Sequence, residues 1–160
     1  MSTTVHFADF QSEIYADGLV GDVPLLPMTP EDMEEAARPL MSERTYAYVA
    51  GAAGGERTAR SNRAAFDDWQ IVPRHLRGVE DRDLSTELFG QRLRTPILLA
   101  PVGALGTVHA DADVVTARVA AEFGVPMILS TLSCSPLEEV AQTWRRGDAA
   151  EGWFQLFLKT

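Results

Sequence analysis

Cysteine is nearly absent from this sequence. Cys134 is the only one in 160 residues, and a single thiol cannot close an internal disulfide. A reducing cytoplasm is therefore the expected location. No surrounding motif marks this thiol as a nucleophile, and we expect it to be a buried structural residue.

Long apolar runs and basic clusters are also absent. The longest apolar stretches, such as 96–105, are too short to cross a bilayer, and no cationic targeting segment opens the chain. A soluble chain is expected. With 14 Lys and Arg against 23 Asp and Glu, the net charge of −9 argues against nucleic acid as a partner. The histidines lack the spacing of metal ligands, so no metal site is expected: His6, His75 and His109.

An apolar fraction of 46% over this length is enough for a globular domain with a hydrophobic core. Repeated glycine and proline predict an irregular arm over residues 1–30. Three helices should follow, one from Pro30 to Pro39 with Thr29 as its N-cap, one from Ser42 to the loop 51–55, and one over 57–66. Residues 69–72 are predicted as a short strand. Residues 86–89 and 91–93 are predicted to form a hairpin around Gly90.

The pattern changes at residue 96, so we expect an N-terminal segment over 1–95 and a second domain over 96–160. Three apolar segments are predicted to form buried parallel strands: 97–100, 126–129 and 153–158. Two helices are predicted between them, one over 112–123 and one from Ser135 to Trp144. This alternation fits either a (β/α)8 barrel or a doubly wound sheet. After Ala100 only Gly103 and Gly106 are present, short of the three-glycine dinucleotide fingerprint, which favours the barrel.

Two details of these helices can be checked in a structure. The first should bury an apolar stripe and end at Gly124: Val115, Val119, Ala120 and Phe123. The second should begin with a capping box, in which the Ser135 hydroxyl and the Glu138 carboxylate satisfy the first free amides.

Several separate blocks of the sequence are recognisable: Tyr46 to Gly54, Asn62 to Phe66, Pro73-Arg74, Asp83 to Thr86, Leu88 to Gly90, Pro96-Ile97, Ala100-Pro101, Ser130 to Leu132, Leu137 to Val140 and Phe154 to Leu156. In this order they resemble the FMN-dependent 2-hydroxyacid dehydrogenase and oxidase family, which includes glycolate oxidase, lactate oxidase and lactate monooxygenase. The arm, with Phe10 to Tyr15 and Val23 to Met28, looks like the lactate 2-monooxygenase branch, as does Gly103 where many family oxidases have alanine.

The resemblance implies the N-terminal portion of a (β/α)8 barrel, about three βα units, preceded by helices and a small hairpin. It implies FMN at the carboxyl ends of the strands. The backbone of Pro101, Val102 and Gly103 would then lie against the flavin ring, while Ser130 and Gln155 would hydrogen-bond its polar edge. For Gln155 there is an independent reason, because an amide in an otherwise apolar strand needs polar partners.

Three residues are implied on the substrate side. Tyr48 matches the tyrosine whose hydroxyl contacts the substrate carboxylate, while Tyr46 is expected to pack. Leu132 should line the mouth of the pocket. Phe157 replaces a tyrosine whose hydroxyl reaches the substrate, a loss of about 1 kcal/mol.

Gly103 leaves out a methyl group beside the flavin. We expect the added space to retain the keto acid while peroxide forms, so that oxidative decarboxylation competes with release of the product.

The family's proton-abstracting histidine, its substrate-binding arginines and its flavin-side lysine are expected beyond Thr160. The chain alone should therefore be an inactive fragment of an enzyme that oxidises a small L-2-hydroxy acid, such as lactate, with oxygen. The alternatives are a non-catalytic remnant or a half-barrel that assembles with a second copy or a complementing C-terminal half. A different phosphate-binding barrel enzyme is a weaker reading.

Overall fold

The computed structural model describes residues 7–78, 83–145 and 152–158. The chain divides into two compact units, residues 1–56 and 57–160. The boundary expected between residues 95 and 96 stays a prediction.

The first unit is helical. Helix α1 spans Phe7–Leu19, α2 spans Pro30–Ala37 and continues into a 3₁₀ turn over Arg38–Leu40, and α3 spans Glu43–Ala50. The irregular arm predicted for residues 1–30 is therefore wrong over α1. The glycine and proline residues on which that prediction rests begin only at Gly18. The stretch 7–17 contains neither residue, so nothing in it opposes a helix.

Side-chain caps begin α2 and α3 where the sequence predicts them. The Thr29 hydroxyl accepts from the Asp32 amide at 3.1 Å, and the Ser42 hydroxyl accepts from the Thr45 amide at 3.1 Å. Each bond satisfies an amide that has no partner inside its helix. Tyr46 packs as expected, and its ring lies 4.9 Å from the Arg38 guanidinium carbon.

The second unit begins with helix α4 over Arg57–Ala64, a 3₁₀ turn over Ala65–Asp68, and a hairpin. Strands β1, Thr86–Leu88, and β2, Gln91–Leu93, pair antiparallel as predicted. Their two-residue loop has positive φ at Phe89 and Gly90, 50° and 79°, the geometry of a type I′ turn. The strand predicted over 69–72 is wrong, because those residues pair with no part of the chain that the structure describes.

Two helices and two strands follow: α5 over Ala112–Phe123, β3 over Ile128–Ser130, α6 over Leu137–Trp144 and β4 over Trp153–Gln155. Strands β3 and β4 are parallel, with Ser130 opposite Gln155. The segment predicted as the first strand contributes a single parallel bridge between Leu99 and Met127. It is not buried on both faces as predicted, since Ile97 is 58% exposed. The three segments pair in chain order, as in a barrel.

The core lies between the strands and the two helices: Ala117, Ala120, Met127, Leu129, Val140 and Trp144. The stripe predicted for α5 is wrong in part. Val119 and Phe123 are 42% and 54% exposed, while Ala117 is fully buried. Alanines let α5 approach its neighbours closely, so the buried face follows backbone proximity rather than side-chain size.

Of the two predicted helix ends, one is confirmed and one is wrong. Gly124 ends α5 in the left-handed conformation, as predicted. The capping box at Ser135 is wrong, because α6 begins at Leu137 and no side chain caps it. The Ser135 amide instead donates to the Ser133 hydroxyl at 3.2 Å. No helix in the described ranges is long and apolar enough to span a membrane.

Candidate functional site

The carboxyl ends of the parallel segments meet at one edge of the sheet in the second unit. The residues predicted for the cofactor and for the mouth of the pocket follow these ends: Pro101, Val102, Gly103, Ser130, Leu132, Gln155 and Phe157. In parallel α/β folds this edge is where ligands bind.

Ser130 ends β3 and is nearly buried, with 3% of its surface exposed. Its hydroxyl accepts from the Leu132 amide at 3.1 Å and donates to Gln155 Oε1 at 3.4 Å. The hydroxyl thus both caps the strand end, the simpler structural role, and joins β3 to the amide of Gln155 on β4.

Gly103 brings the loop after the first segment against the loop after β3. The Ala104 amide donates to the Leu132 carbonyl at 3.0 Å. A methyl group at Gly103 would lie 3.0 Å from Leu132 Cβ and 3.5 Å from Ser130 Oγ. Glycine therefore allows a close approach here that alanine would reach only if Leu132 moved.

The same edge is open to a ligand. Val102, Leu132 and Phe157 are 51%, 47% and 40% exposed, and Pro101 is half-buried. Gln155 is exposed rather than enclosed by the sheet. A flat aromatic ring with a polar edge fits this set of groups, because apolar surface adjoins a hydroxyl and an amide that can both donate and accept. The residues present therefore fit a flavin.

Thr131 also lies at this edge, although the sequence analysis predicts no role for it. Its hydroxyl donates to the Gln155 carbonyl oxygen and accepts from the Phe157 amide at 3.2 Å. Its position directly after a strand-ending serine is the signal that could have drawn attention to it.

Tyr48 belongs to the first unit, on α3, and its side chain is 66% exposed. Its substrate role stays a prediction.

Cys134 is exposed, so the expectation of a buried thiol is wrong. Its amide donates to Asp113 Oδ2 at 2.9 Å. Asp113 itself is 1% exposed, another buried polar group that the sequence did not indicate. The carboxylate thereby ties the loop after β3 to the first turn of α5.

No group of His, Cys, Asp and Glu suited to a metal ion occurs among the residues that the structure describes. Of the histidines, His109 accepts from the Asp111 amide at 3.3 Å through Nδ1, and His6 lies outside the described residues.

Comparison with known proteins gives one family match. Residues 37–160 match the model of the family described as FMN-dependent dehydrogenase. The chain is 40% identical over 154 residues to the FMN-dependent alpha-hydroxy acid dehydrogenase qulF of Penicillium citrinum, covering 96% of this chain and 38% of the relative. It is 39% identical over 134 residues to an L-lactate oxidase of Lysinibacillus sphaericus, covering 84% of this chain and 34% of the relative.

Solved structures agree with these relatives. A soluble mutant of the (S)-mandelate dehydrogenase from Pseudomonas putida superposes with a TM-score of 0.70 at 34% identity, over 80% of this chain and 36% of its own. A protein described as a lactate oxidase of Pediococcus acidilactici gives 0.75 at 35% identity, over 86% of this chain and 37% of its own. The chain thus spans less than two fifths of the length of the relatives it matches.

Proposed function

The chain belongs to the family of FMN-dependent dehydrogenases, and from this premise we propose that it forms the first part of the FMN site of an enzyme that oxidises a small L-2-hydroxy acid. The fold is the N-terminal portion of a (β/α)8 barrel, with preceding helices and a hairpin. The observation that carries the proposal is the cluster of Gly103, Ser130 and Gln155 at the carboxyl edge of the parallel strands.

In this proposal the cofactor, when bound, accepts the electrons removed from the α-carbon of the substrate. The residues of this chain bind and orient the ring. The backbone at 101–103 supports its face, and the Ser130 hydroxyl and the Gln155 amide bind its polar edge. The hydrogen bond between Ser130 and Gln155 fixes the direction in which each presents its remaining donor or acceptor.

Oxidation of a 2-hydroxy acid also requires a positioned base. Within the described strand ends the site residues are apolar, hydroxyl or amide groups, none of which serves as a base at neutral pH. The base, and the cations that bind the substrate carboxylate, are therefore proposed to come from the remainder of a complete enzyme. The 160-residue chain by itself is expected to bind flavin without turnover.

The substrate is proposed to be lactate or a similar acid, with oxygen as the electron acceptor. Matched relatives include L-lactate oxidases and L-lactate dehydrogenases, as well as the human 2-hydroxyacid oxidase 1. Tyr48, Leu132 and Phe157 are the residues proposed to contact this substrate. A cytoplasmic location stays a prediction.

The test is a visible absorption titration of the full chain with FMN, followed by lactate under nitrogen. Wild-type protein should perturb the flavin spectrum, and lactate should not bleach it. Gln155→Leu and Ser130→Ala should weaken FMN binding by about tenfold each, the effect of one lost hydrogen bond of about 1.4 kcal/mol.

Two substitutions outside the site serve as controls for that titration, Gln142→Leu on α6 and Ser61→Ala on α4. They make the same chemical changes and should leave FMN affinity unaltered. Bleaching by lactate would show catalytic groups in this chain that the proposal lacks. An unperturbed spectrum at every FMN concentration would refute the cofactor half-site.

A second candidate is a half-barrel that acts as an assembly module, either as a homo-oligomer or with a complementing C-terminal half. It is favoured by the apolar side chains exposed on and after β4, where Leu156 and Leu158 are 70% and 82% exposed. If this candidate is correct, the chain should form a defined oligomer and should leave the FMN absorption spectrum unperturbed in the titration above. Flavin binding by a monomer would contradict it.

A further inference from the structure

The parallel pairing between β3 and β4 stops at Ser130 and Gln155, yet the two segments stay joined by hydrogen bonds beyond that pair. In a parallel ladder, one residue of each pair makes both bonds. Its amide donates to the carbonyl before its partner, and its own carbonyl accepts from the amide after that partner. The bridge at Leu99 follows this rule. Its amide donates to the Pro126 carbonyl at 2.8 Å, and its carbonyl accepts from the Ile128 amide at 3.0 Å.

The next pair in this register would place Thr131 opposite Leu156. The rule then requires bonds from Thr131 to the Gln155 carbonyl and from the Phe157 amide to Thr131. Both bonds are present, but the Thr131 side chain makes them. Its hydroxyl donates to the Gln155 carbonyl oxygen and accepts from the Phe157 amide at 3.2 Å.

We propose that Thr131 is a positioning residue, whose hydroxyl takes the place of a ladder pair and holds Gln155 and Phe157 in register with Ser130. The backbone of Thr131 is thereby free to leave the strand direction and enter the turn that presents Leu132. One hydroxyl thus holds the flavin-edge amide and the substrate-side phenylalanine while the loop after β3 bends away.

A hydroxyl suits this task because it offers one donor and two acceptor positions on a single atom. Neither valine nor alanine can replace it, whereas serine can. In T131V the Phe157 amide would lose its hydrogen-bond acceptor, and the Gln155 carbonyl would lose a hydrogen-bond donor. The inference rests on the proposed function only for its consequence for FMN.

The first test measures amide hydrogen exchange by NMR on the full chain, which requires no flavin. Relative to wild type, T131V should speed exchange of the Phe157 amide about tenfold, the effect of one hydrogen bond of about 1.4 kcal/mol. T131S should restore slow exchange. T143V is the matched control, because Thr143 also donates to a carbonyl, that of Glu139 at 3.1 Å, but near the far end of α6.

T131V replaces a hydroxyl by a methyl group and can also disturb packing, so thermal unfolding of every variant accompanies the exchange data. T131S retains the hydroxyl and loses the methyl group. Slow Phe157 exchange in T131S supports the hydroxyl bond even if T131V fails to fold. Fast exchange in T131S would overturn the proposal.

The second test is FMN titration of the same variants. If the wild type binds FMN, T131V should weaken binding about fivefold, a part of one hydrogen-bond energy transmitted through Gln155, and T131S should match the wild type. Faster Phe157 exchange with unchanged FMN affinity would overturn the positioning role. If the wild type binds no FMN, the proposed function fails, and the exchange data alone support or overturn the hydroxyl bond.

Discussion

At the scale of single residues, Gly103 has the most specific environment. A methyl group added at Gly103 would lie 3.0 Å from Leu132 Cβ. In a complete enzyme, Gly103→Ala should therefore reduce the space beside the position proposed for the flavin. With lactate as substrate, we expect a larger share of pyruvate and free peroxide and a smaller share of acetate.

The measurement is quantification of pyruvate, acetate and peroxide after complete consumption of lactate. Gly18→Ala is the control, since nothing lies within 4 Å of a methyl group there. Release of pyruvate and peroxide without acetate from the unsubstituted enzyme would refute the hypothesis that Gly103 retains the keto acid.

Phe157 supports a second prediction at this scale. Its backbone amide is held by Thr131, and its ring is partly exposed at the proposed pocket mouth. Phe157→Tyr in a complete enzyme should raise kcat/KM for lactate about fivefold, as expected from one added hydrogen bond of about 1 kcal/mol.

Phe154→Tyr provides the control for that measurement. Phe154 lies on β4 directly before Gln155, so it occupies the face of that strand opposite to this site residue. Equal effects of the two substitutions would show that the gain does not come from contact with the substrate.

At the scale of elements, α5 packs through alanine. Because Ala117 is fully buried while Val119 is 42% exposed, Ala117→Leu should overpack the core and lower the free energy of unfolding by about 1–3 kcal/mol. Val119→Leu should change it by less than about 0.5 kcal/mol. Urea unfolding followed by circular dichroism measures both free energies. A larger loss in Val119→Leu than in Ala117→Leu would instead support the buried valine stripe expected from the sequence.

The contact between α2 and α3 has a predicted pH dependence. The Tyr46 hydroxyl donates to Glu34 Oε1 at 2.7 Å, and this hydrogen bond is the main cause of the raised pKa of Tyr46, with desolvation and the Glu34 charge adding to it. A raised pKa in the folded state means that the contribution to stability is complete below the ordinary pKa of about 10. It is then lost as the pH rises through the folded-state pKa.

Tyr46→Phe should remove that alkaline loss and lower the unfolding temperature at neutral pH. Thermal unfolding between neutral and alkaline pH measures both effects, with Tyr15→Phe on α1 as the control. An unchanged alkaline loss in Tyr46→Phe would show that another group titrates.

At the scale of the whole molecule, the parallel sheet is short, and its outer strand β4 and the residues directly after it carry exposed apolar side chains. Such surface on a sheet edge favours association with another chain. The purified 160-residue chain is therefore expected to show a sedimentation coefficient that rises with concentration. Leu156→Lys combined with Leu158→Lys, both in the segment directly after β4, should reduce this rise, because charge beside a sheet edge opposes pairing with another chain. The matched control is Val20→Lys with Val23→Lys, two exposed residues after α1.

Much of the architecture was predictable because local chemistry dictates it. Thr29 and Ser42 start helices through their own hydroxyls, Gly124 ends one through its freedom at positive φ, and Gly90 allows a tight hairpin turn. These effects act over a few residues, so the sequence alone contains them. The order of strand, helix, strand, helix and strand was predictable for the same reason.

Most candidate site residues were proposed through resemblance to a family, because a serine in an apolar segment has several possible roles. For Gln155 the need of an amide in an apolar segment for polar partners was a second reason. The sequence could not show which face of α5 is buried, that Cys134 is exposed, or that Thr131 bridges two strands. Each depends on contacts between residues far apart in the chain, such as the hydrogen bond that the Phe157 amide donates to the Thr131 hydroxyl. Local propensity thus determined most of the elements, although not whether residues 69–72 pair as a strand. Only tertiary packing decided which segments pair and which side chains meet, because burial and pairing depend on neighbours that the local sequence does not contain.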